Sequence, residues 1–479
     1  MNFHTRVGNF LKTDNSTSKI MNNLLIALFP IYLFAFYKNG LLPIIKGYGD
    51  IGSLFHLLLV LILPCLVCLG TEYLWYNYLL KEKRDIKYFV NDTYALIPGL
   101  FLSLIIPINT PVYLLILGSL FMIIIGKLIY GGFGHNFLNP ALVGRFFIMG
   151  CYGAIIGKSG GYLNLYEKSL DTIAGATPLG NLASLNYSGS YQNIITPFGS
   201  IWNFLIGNIP GAIGETSSLL ILLALIYLIL NKVIKWRIPV YYLGTVFVST
   251  MIIGFANGMG LWYPLFHLLS GGLLFGAVFM ATDPVTSPLT KNSQIIYGIS
   301  LGILTLFFRF LTSYPEGVCV SILIMNLVVL LLNKFDIISF SKKYLNLLVL
   351  SLVVGILVIF TIVISFKLKN SASLEDESFK ILDKKVNGHE TTYLVNGKGF
   401  GGMDSYKVKV TFKNDYIVSI DVLENKESYY NLLESSNYLN KIIINQSNLD
   451  NLDTVSGATY SSKFLKELIV KVQDDYKRK

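Results

Sequence analysis

Charged residues are scarce in this chain, and their scarcity excludes an ordinary soluble protein. Asp, Glu, Lys and Arg make up 14% of the 479 residues, whereas hydrophobic residues make up 53%. Soluble domains carry about 25% charged residues. Repeated apolar runs of about 20 residues instead predict a polytopic α-helical membrane protein. The net charge of +10 is explained by Lys and Arg in short loops, so we expect membrane lipid around the chain and no nucleic-acid partner.

Patterns for metal and nucleotide binding are missing as well. The five histidines have no ligand spacing, and all four cysteines lie in apolar stretches. Cys65 and Cys68 form a C-x-x-C pair without a second pair, which is weak support for a zinc or redox site. The sequence has no P-loop and no G-x-G-x-x-G after a strand. We therefore expect no metal site in this chain, and no site for ATP, nicotinamide or an iron–sulfur cluster.

Eleven apolar segments predict membrane spans, ten in one domain and one more as an anchor. They are residues 21–37, 53–80, 94–107, 111–130, 140–157, 215–231, 238–256, 262–282, 294–312, 317–334 and 346–367. The third and fifth are short, so a tilted, broken or re-entrant segment is an alternative there. We expect the first span to be a retained anchor, because polar residues precede it. The predicted domains are a membrane domain at 1–340, a transmembrane anchor helix at 341–370 and a soluble domain at 371–479.

Lys and Arg in the loops predict the orientation of the spans. Most of them fall in loops on the side of the N-terminus, which places the N-terminus in the cytoplasm of a bacterial cell. The loop 158–200 and the C-terminal domain then both lie on the extracytoplasmic side. Ten spans arranged as two halves of five would be antiparallel, as in the inverted repeats of many transporters. No sequence repeat between the halves is apparent.

The tail has the pattern of a small α+β domain. Tyr406–Val410 and Ile417–Ile420 alternate like strands around a turn at residues 413–415. Residues 427–446 have a helical pattern, and residues 461–476 predict an amphipathic closing helix.

One seven-residue sequence occurs twice in unlike surroundings. Residues 171–177 read D-T-I-A-G-A-T in a polar break of the membrane domain, and residues 453–459 read D-T-V-S-G-A-T in the tail. Gly-Ala leaves little bulk beside the final threonine, so its hydroxyl can be reached from outside. A turn with a capping threonine is the alternative, but two near-identical copies favour an acceptor for a covalent phosphoryl-linked group. The candidate site residues are Asp171, Gly175, Ala176 and Thr177 in the first copy and Asp453, Ser456, Gly457, Ala458 and Thr459 in the second.

The pattern D-x-x-[ST]-G-A-T resembles the site at which a flavin transferase esterifies the phosphate of FMN onto threonine. The G-A-T-P-L of the first copy resembles the RnfD-type membrane protein of Rnf ferredoxin:NAD oxidoreductases and the NqrB-type protein of the sodium-pumping NADH:quinone reductase. The S-G-A-T-Y-S-S of the second copy resembles the FMN-binding domain of the RnfG and NqrC types in the same complexes. The resemblance implies FMN on Thr177 and on Thr459, in a natural fusion of two subunits that are usually separate. Ala174 departs from the pattern, which has Ser or Thr at that position.

Other segments resemble the same membrane subunits. Residues 131–141 read G-G-F-G-H-N-F-L-N-P-A, and the family has a similar segment. Asn136 and Asn139 in it either hydrogen-bond an isoalloxazine ring or satisfy the backbone of a helix break. Arg145 either binds the phosphate of the FMN on Thr177 or pairs with an acid.

Three more charged residues, Glu215, Asp283 and Arg309, fall in segments that resemble family motifs. Glu215 starts the sixth span, where capping of the helix is the structural alternative. Asp283 either takes part in an ion path or ends the helix before Pro284, and the role of Arg309 stays open. The glycine-rich residues 397–402 resemble the entry to the FMN-binding domain.

The resemblance implies a membrane flavoprotein that relays electrons between two covalent FMN groups within an Rnf/NQR-type oxidoreductase complex. Such a complex has further subunits, needs a flavin transferase for maturation, and can couple electron transfer to Na⁺ or H⁺ movement. Non-covalent riboflavin is a further cofactor that the resemblance implies. The alternatives are a solute or ion transporter with a flavin-binding sensor domain, and electron export to an extracellular acceptor without ion pumping.

Overall fold

The computed structural model describes most of the chain, and the statements below concern the described residues. These are residues 16–47, 49–159, 177–185, 187, 189–312, 317–339, 343–375, 379–387, 390–399, 402–425, 430–446, 449 and 459–477. They belong to two compact units, a helical unit that extends to Ser365 and a second unit that contains a β-sheet and begins at Phe366.

The helical unit begins with seven helices that cover the first five predicted spans. They are α1 (Thr17–Phe36), α2 (Leu42–Ile45), α3 (Ile51–Leu74), α4 (Ile86–Asn91), α5 (Leu96–Ile105), α6 (Val112–Gly126) and α7 (Pro140–Lys158). Local sequence fixes where the longest of them starts, because the Asp50 side chain accepts a hydrogen bond from the backbone N–H of Ser53 at 2.8 Å. Such a cap satisfies one of the free N–H groups of the first turn.

Three short helices on the loop before the sixth span follow. They are α8 (Pro178–Ser184), α9 (Tyr191–Ile194) and α10 (Ile201–Ile206). The remaining helices of the spans are α11 (Ser218–Leu230), α12 (Arg237–Ala256), α13 (Trp262–Leu269), α14 (Leu273–Phe275), α15 (Lys291–Leu311), α16 (Val318–Ser339) and α17 (Lys343–Glu375). A π-helical stretch, Gly276–Met280, continues α14.

Each predicted span coincides with an apolar helix or a pair of them. Within the described residues, six helices are long and apolar enough to cross a membrane, or seven if the bent pair α13 and α14 is one span, and four shorter apolar helices accompany them. The predicted short third span is confirmed: α5 has 10 residues, which is about 15 Å of helix against a hydrocarbon core of about 30 Å. The number of helices that cross the membrane stays a prediction.

The eighth span is broken, which the sequence analysis did not predict. Its two halves, Trp262–Leu269 and Leu273–Met280, meet at an angle of 63°. Ser270, Gly271 and Gly272 form the break, and Gly271 has a φ of +66°, a conformation that favours glycine.

Helices pack in the same order in both halves of the helical unit. In the first half α3 packs against α5 and α6, and α6 against α7. In the second half α12 packs against α13 and α15, and α15 against α16. The halves meet where α1 packs on α11 and α7 on α16. This recurrence is the arrangement expected of two related halves of five spans.

The second unit contains a four-stranded antiparallel sheet in the order β1-β2-β3-β4. The strands are β1 (Phe379–Asn387), β2 (Glu390–Gly399), β3 (Gly402–Lys413) and β4 (Tyr416–Asn425), and the helices are α18 (Tyr430–Ser435), α19 (Tyr438–Ile444) and α20 (Thr459–Lys477). The predicted hairpin is confirmed: Asn414 and Asp415 have φ of +49° and +67°, as a tight two-residue hairpin turn requires.

One face of the sheet packs against the apolar face of α20. Val395, Val408 and Val410 are buried on the sheet, and Leu465 and Leu468 are buried on the helix. The predicted closing helix is confirmed, while strands β1 and β2 were not predicted. Their many lysines and threonines hide the alternation that strands with one buried face normally show.

Candidate functional site

The first copy of the repeated sequence ends at the start of a helix. Thr177 is the N-cap of α8, and its Oγ1 accepts a hydrogen bond from the backbone N–H of Gly180 at 3.2 Å. Pro178 follows in the first helical position, where its missing N–H removes no hydrogen bond. Thr177 is half-buried, and the hydrogen bond from Gly180 holds its hydroxyl in one place. Asp171, Gly175 and Ala176 lie outside the described residues.

The second copy also ends where a helix begins. Helix α20 starts at Thr459, while Asp453, Ser456, Gly457 and Ala458 lie outside the described residues. Both copies therefore place their threonine at a helix start, Thr177 as the cap and Thr459 as the first residue. In the sequence a Gly-Ala pair directly precedes each of these threonines.

A cavity with about 70 Å³ of internal space lies in the helical unit, between helices of both halves. Its walls are mainly apolar and aromatic, with Phe101 and Phe279 among them, and its polar groups include those of Lys127, Asn136 and Asp283. Small-molecule sites have mostly apolar walls and a few convergent polar groups. The walls of the cavity therefore have the chemistry of a site for a flat heteroaromatic ligand, while its internal space is smaller than the roughly 300–1,000 Å³ of typical small-molecule sites.

Asn136 and Asn139 both line this cavity and both also stabilise irregular backbone. The Nδ2 of Asn136 donates to the carbonyl of Leu138 at 3.0 Å, and the Oδ1 of Asn139 accepts from the N–H of Leu142 at 3.4 Å in the first turn of α7. The two alternatives considered for these residues are thus compatible. Each asparagine stabilises the irregular backbone before or at the start of α7 with one amide group, and each also lines the cavity.

The glycines before Asn136 are required by the backbone conformation of the same segment. Gly131, Gly132 and Gly134 have φ of +106°, +91° and +84°. Side chains other than glycine rarely adopt these angles, so the turn that carries Asn136 to the cavity depends on this run.

Arg145 forms a buried ion pair with Glu215. The guanidinium Nη1 donates to the carboxylate Oε1, and both side chains are buried. The structure therefore shows the second of the two alternatives for Arg145, the pairing with an acid, and its contact with an FMN phosphate stays a prediction. Glu215 is not seen to cap the sixth span, because α11 begins three residues later with Ser217 as its N-cap.

Asp283 closes the turn after the eighth span. Its carboxylate accepts hydrogen bonds from the N–H of Val285 at 3.4 Å and from the Thr286 hydroxyl at 3.0 Å. The structural alternative for Asp283 is therefore seen directly. Asp283 also lines the cavity, and its part in an ion path stays a prediction.

A second buried ion pair was missed by the sequence analysis. Lys127 pairs with Glu72, donates to the carbonyl of Thr93 at 2.8 Å, and the Thr93 hydroxyl donates to Glu72 Oε2 at 2.7 Å. The sequence did indicate such a pair, because placing an ionisable residue within an apolar run costs free energy and the residue is usually functional or paired. Glu72 and Lys127 each lie within such a run, and each charge therefore indicates that a partner is needed.

Comparison with known proteins identifies both parts of the chain. Residues 4–339 match the NQR2, RnfD, RnfE family, and residues 399–473 match the FMN-binding domain. The first match contains Thr177 and the cavity, and the second contains Thr459.

Three relatives cover most of the helical unit. The D-type component of the proton-translocating ferredoxin:NAD⁺ oxidoreductase complex of Clostridium ljungdahlii is 36% identical over 325 residues, which are 68% of this chain and 92% of the relative. The D-type component of the Na⁺-translocating ferredoxin:NAD⁺ oxidoreductase complex of Acetobacterium woodii is 34% identical over 325 residues, 68% of this chain and 91% of that one. The B-type component of the Na⁺-translocating NADH-quinone reductase of Chromohalobacter salexigens is 33% identical over 363 residues, 69% of this chain and 83% of that one.

These relatives are subunits of ion-translocating oxidoreductases, and the family match includes the loop that ends at Thr177 as well as the asparagines that face the cavity. The chain belongs to the NQR2, RnfD, RnfE family and carries, fused behind it, an FMN-binding domain.

Proposed function

We propose that this protein is an electron-relaying membrane subunit of an Rnf/NQR-type oxidoreductase complex, with FMN esterified to Thr177 and to Thr459. One observation carries the proposal. Nearly the same seven-residue sequence occurs once within each matched family region, and in both regions its threonine stands at the start of a helix. Packing alone gives no reason for the two surroundings to share this sequence.

The attachment requires an activated flavin nucleotide and a transferase. The threonine Oγ forms an ester bond to the flavin phosphorus while the phosphoanhydride bond of the donor breaks. The departing nucleoside monophosphate keeps the electron pair of that bond, and a base of the transferase takes the hydroxyl proton. In this chain the half-buried Thr177 is suited to the reaction, because capping fixes its position and the residue stays partly accessible.

When bound, the flavins supply the redox chemistry, and the protein supplies their position and potential. In this proposal electrons pass between the Thr459 and Thr177 flavins on the extracytoplasmic side. The N-terminus is cytoplasmic, and α17 anchors the FMN-binding domain to the helical unit. Tethering keeps the second flavin at high effective concentration near the first. Other subunits of the complex would deliver and receive the electrons.

The cavity extends the proposal to a non-covalent flavin, riboflavin. Asn136 and Asn139 would hydrogen-bond the edge of the isoalloxazine ring, and Phe101 and Phe279 would pack against its faces. The mainly apolar walls suit the apolar faces of the ring. Coupling to ion movement is part of the proposed function, and the choice between Na⁺ and H⁺ stays open, since the relatives include both kinds.

Threonine substitutions test the covalent sites. We expect Thr177→Ala and Thr459→Ala each to keep one flavin-bearing tryptic peptide, and the double variant to keep none, when an active flavin transferase is coexpressed. In-gel fluorescence and mass spectrometry of the peptides measure this. Thr196→Ala serves as the matched control, because Thr196 is exposed and lies in the same extracytoplasmic loop. Unmodified Thr177 and Thr459 in the native chain would defeat the proposal.

A further inference from the structure

The break in the eighth span is stabilised by two charges of opposite sign. At the end of α13 the Arg309 guanidinium donates to the carbonyls of His267 and Ser270 at 2.7 and 3.2 Å. At the start of the second half-helix the Glu215 carboxylate lies against Gly272, where an added Cβ would meet Oε1 at 2.5 Å. A cation at a helix C-terminus and an anion at a helix N-terminus are the favourable signs. Arg309 therefore satisfies two carbonyls at the interruption.

The segment that follows Thr177 rests on this break. Gly271 has Leu179 on one side and Arg309 on the other: an added Cβ would lie 2.6 Å from Leu179 Cδ1 and 3.8 Å from Arg309 Nη2. Leu179 is 1% exposed, and it stands two residues after Thr177. The absence of a side chain at Gly271 is what allows Leu179 to sit directly on the break.

Two more contacts hold the same segment to the eighth and ninth spans. The Tyr263 hydroxyl donates to the carbonyl of Tyr187 at 3.1 Å, and the Tyr187 ring lies 5.1 Å from the Phe310 ring. Phe310 is adjacent to Arg309 in α15. The residues that fix the break and those that hold the Thr177 segment therefore form one contiguous set.

We propose that Arg309 is a positioning residue for flavin attachment at Thr177. Arg309 holds the carbonyls of the break, the break provides the surface on which Leu179 packs, and Leu179 fixes the first turn of the helix that Thr177 caps. This inference rests on the proposed function and adds a residue that contacts neither the acceptor hydroxyl nor the flavin. Loss of the guanidinium loosens the break and lowers the fraction of chains that present Thr177 to the transferase.

The chain contains its own control, because Thr459 lies in the other compact unit and draws on the same transferase and flavin supply. The measurement is the occupancy of Thr177 relative to Thr459, by mass spectrometry of tryptic peptides from the full chain coexpressed with a limiting amount of flavin transferase. For Arg309→Gln we expect the ratio to fall at least about fivefold, in proportion to the competent fraction. Arg309→Lys, which keeps the charge but not the fork of donors, should recover part of the loss.

Leu179→Ala tests the same chain of contacts without changing any charge. We expect a similar fall in the ratio, whereas Leu261→Ala, at a leucine that is 59% exposed on the predicted extracytoplasmic side, should leave it unchanged. Gly271→Ala should lower the ratio because its Cβ meets Leu179. In a chain that already carries Leu179→Ala, the collision is removed. There, adding Gly271→Ala should lower the Thr177-to-Thr459 ratio by a smaller factor than Gly271→Ala does in the native chain.

The outcomes separate this inference from the proposed function. Absence of flavin on Thr177 in the native chain would overturn the proposed function. Normal loading of the native chain together with native ratios in Arg309→Gln and Leu179→Ala would overturn the positioning role alone. An equal fall at Thr177 and Thr459 in Leu179→Ala would overturn it too, because the effect would then not be local. If Arg309→Gln fails to fold, Leu179→Ala decides the question.

Discussion

Removal of the Glu72 charge should destabilise the helical unit strongly. Glu72→Gln keeps the shape of the side chain and a partner for the Thr93 hydroxyl, but it leaves the buried Lys127 ammonium without its carboxylate. The Lys127 and Glu72 side chains are 3% and 0% exposed, so water does not replace the lost partner. Removing one partner of a buried ion pair costs about 3–5 kcal/mol.

The carbonyl of Thr93, 2.8 Å from Lys127 Nζ, offsets a part of this loss. A shift of about 2–4 °C per kcal/mol is typical of domains of 150–250 residues and is smaller for larger units, so we expect the melting temperature to fall by about 3–6 °C. Glu82→Gln is the matched control. Glu82 pairs with Arg84 at 3.3 Å, but these side chains are 40% and 47% exposed, and an exposed pair contributes about 0–1 kcal/mol.

The assay uses the native cysteines of the full chain in detergent. Cys65, Cys68 and Cys319 are buried and Cys151 is exposed, so a thiol-reactive fluorogenic dye reports unfolding above a constant background. Substituting both partners, Glu72→Gln with Lys127→Met, removes both charges and should melt above Glu72→Gln alone. A Glu72→Gln variant that melts with the native protein, or a double variant less stable than the single one, would refute the reasoning.

Three further predictions concern the FMN-binding domain, the cavity and the topology. Gly397→Ala should lower the free energy of unfolding of the FMN-binding domain by about 1–3 kcal/mol, because its Cβ would collide with Leu468 Cδ1. We expect faster limited proteolysis of this domain, and unchanged proteolysis would contradict the packing. Asn136→Ala should weaken acid-extractable flavin binding roughly threefold to tenfold, the effect of one lost hydrogen bond, with covalent fluorescence unchanged as the internal control; native flavin content would exclude Asn136 as a ligand. Tyr416→Cys, at a residue 65% exposed, should react with an impermeant thiol reagent in intact spheroplasts, and Leu289→Cys, at a residue 68% exposed, only after permeabilisation; the reverse pattern would invert the topology.

Local patterns predicted the elements well. Eleven apolar runs became apolar helices, and the hairpin turn at Asn414 and Asp415 appeared where a polar turn interrupts two alternating stretches. Hydrophobic runs and turn residues determine structure within a few positions of themselves, so the local sequence is enough to predict these elements. The second copy of the repeated sequence was also placed correctly before a closing helix, which begins at Thr459.

Pairings between distant residues could not be predicted in the same way. Glu72 and Lys127 are separated by 55 positions, and Arg145 and Glu215 by 70. An ionisable residue in an apolar run indicates that a partner is needed. Because many residues could serve as that partner, the sequence does not indicate which one does. The sequence therefore did not indicate that Glu215 is the acid that pairs with Arg145, and a contact of Arg145 with a flavin phosphate stays a prediction.

Four buried charges in the described part of the helical unit lie beside the ends or breaks of helices, and their placement has one physical cause. Glu72 and Lys127 enclose Thr93, just before the short helix α5; Glu215 and Arg309 flank the break of the eighth span. Backbone groups freed at a helix end find no water in the hydrocarbon region, so polar side chains must be brought to them. A sequence that needs short and broken spans must then also carry buried charges. Substitutions at these charges should consequently change the geometry of one discontinuity, and any cofactor held there, before they change the remaining helices.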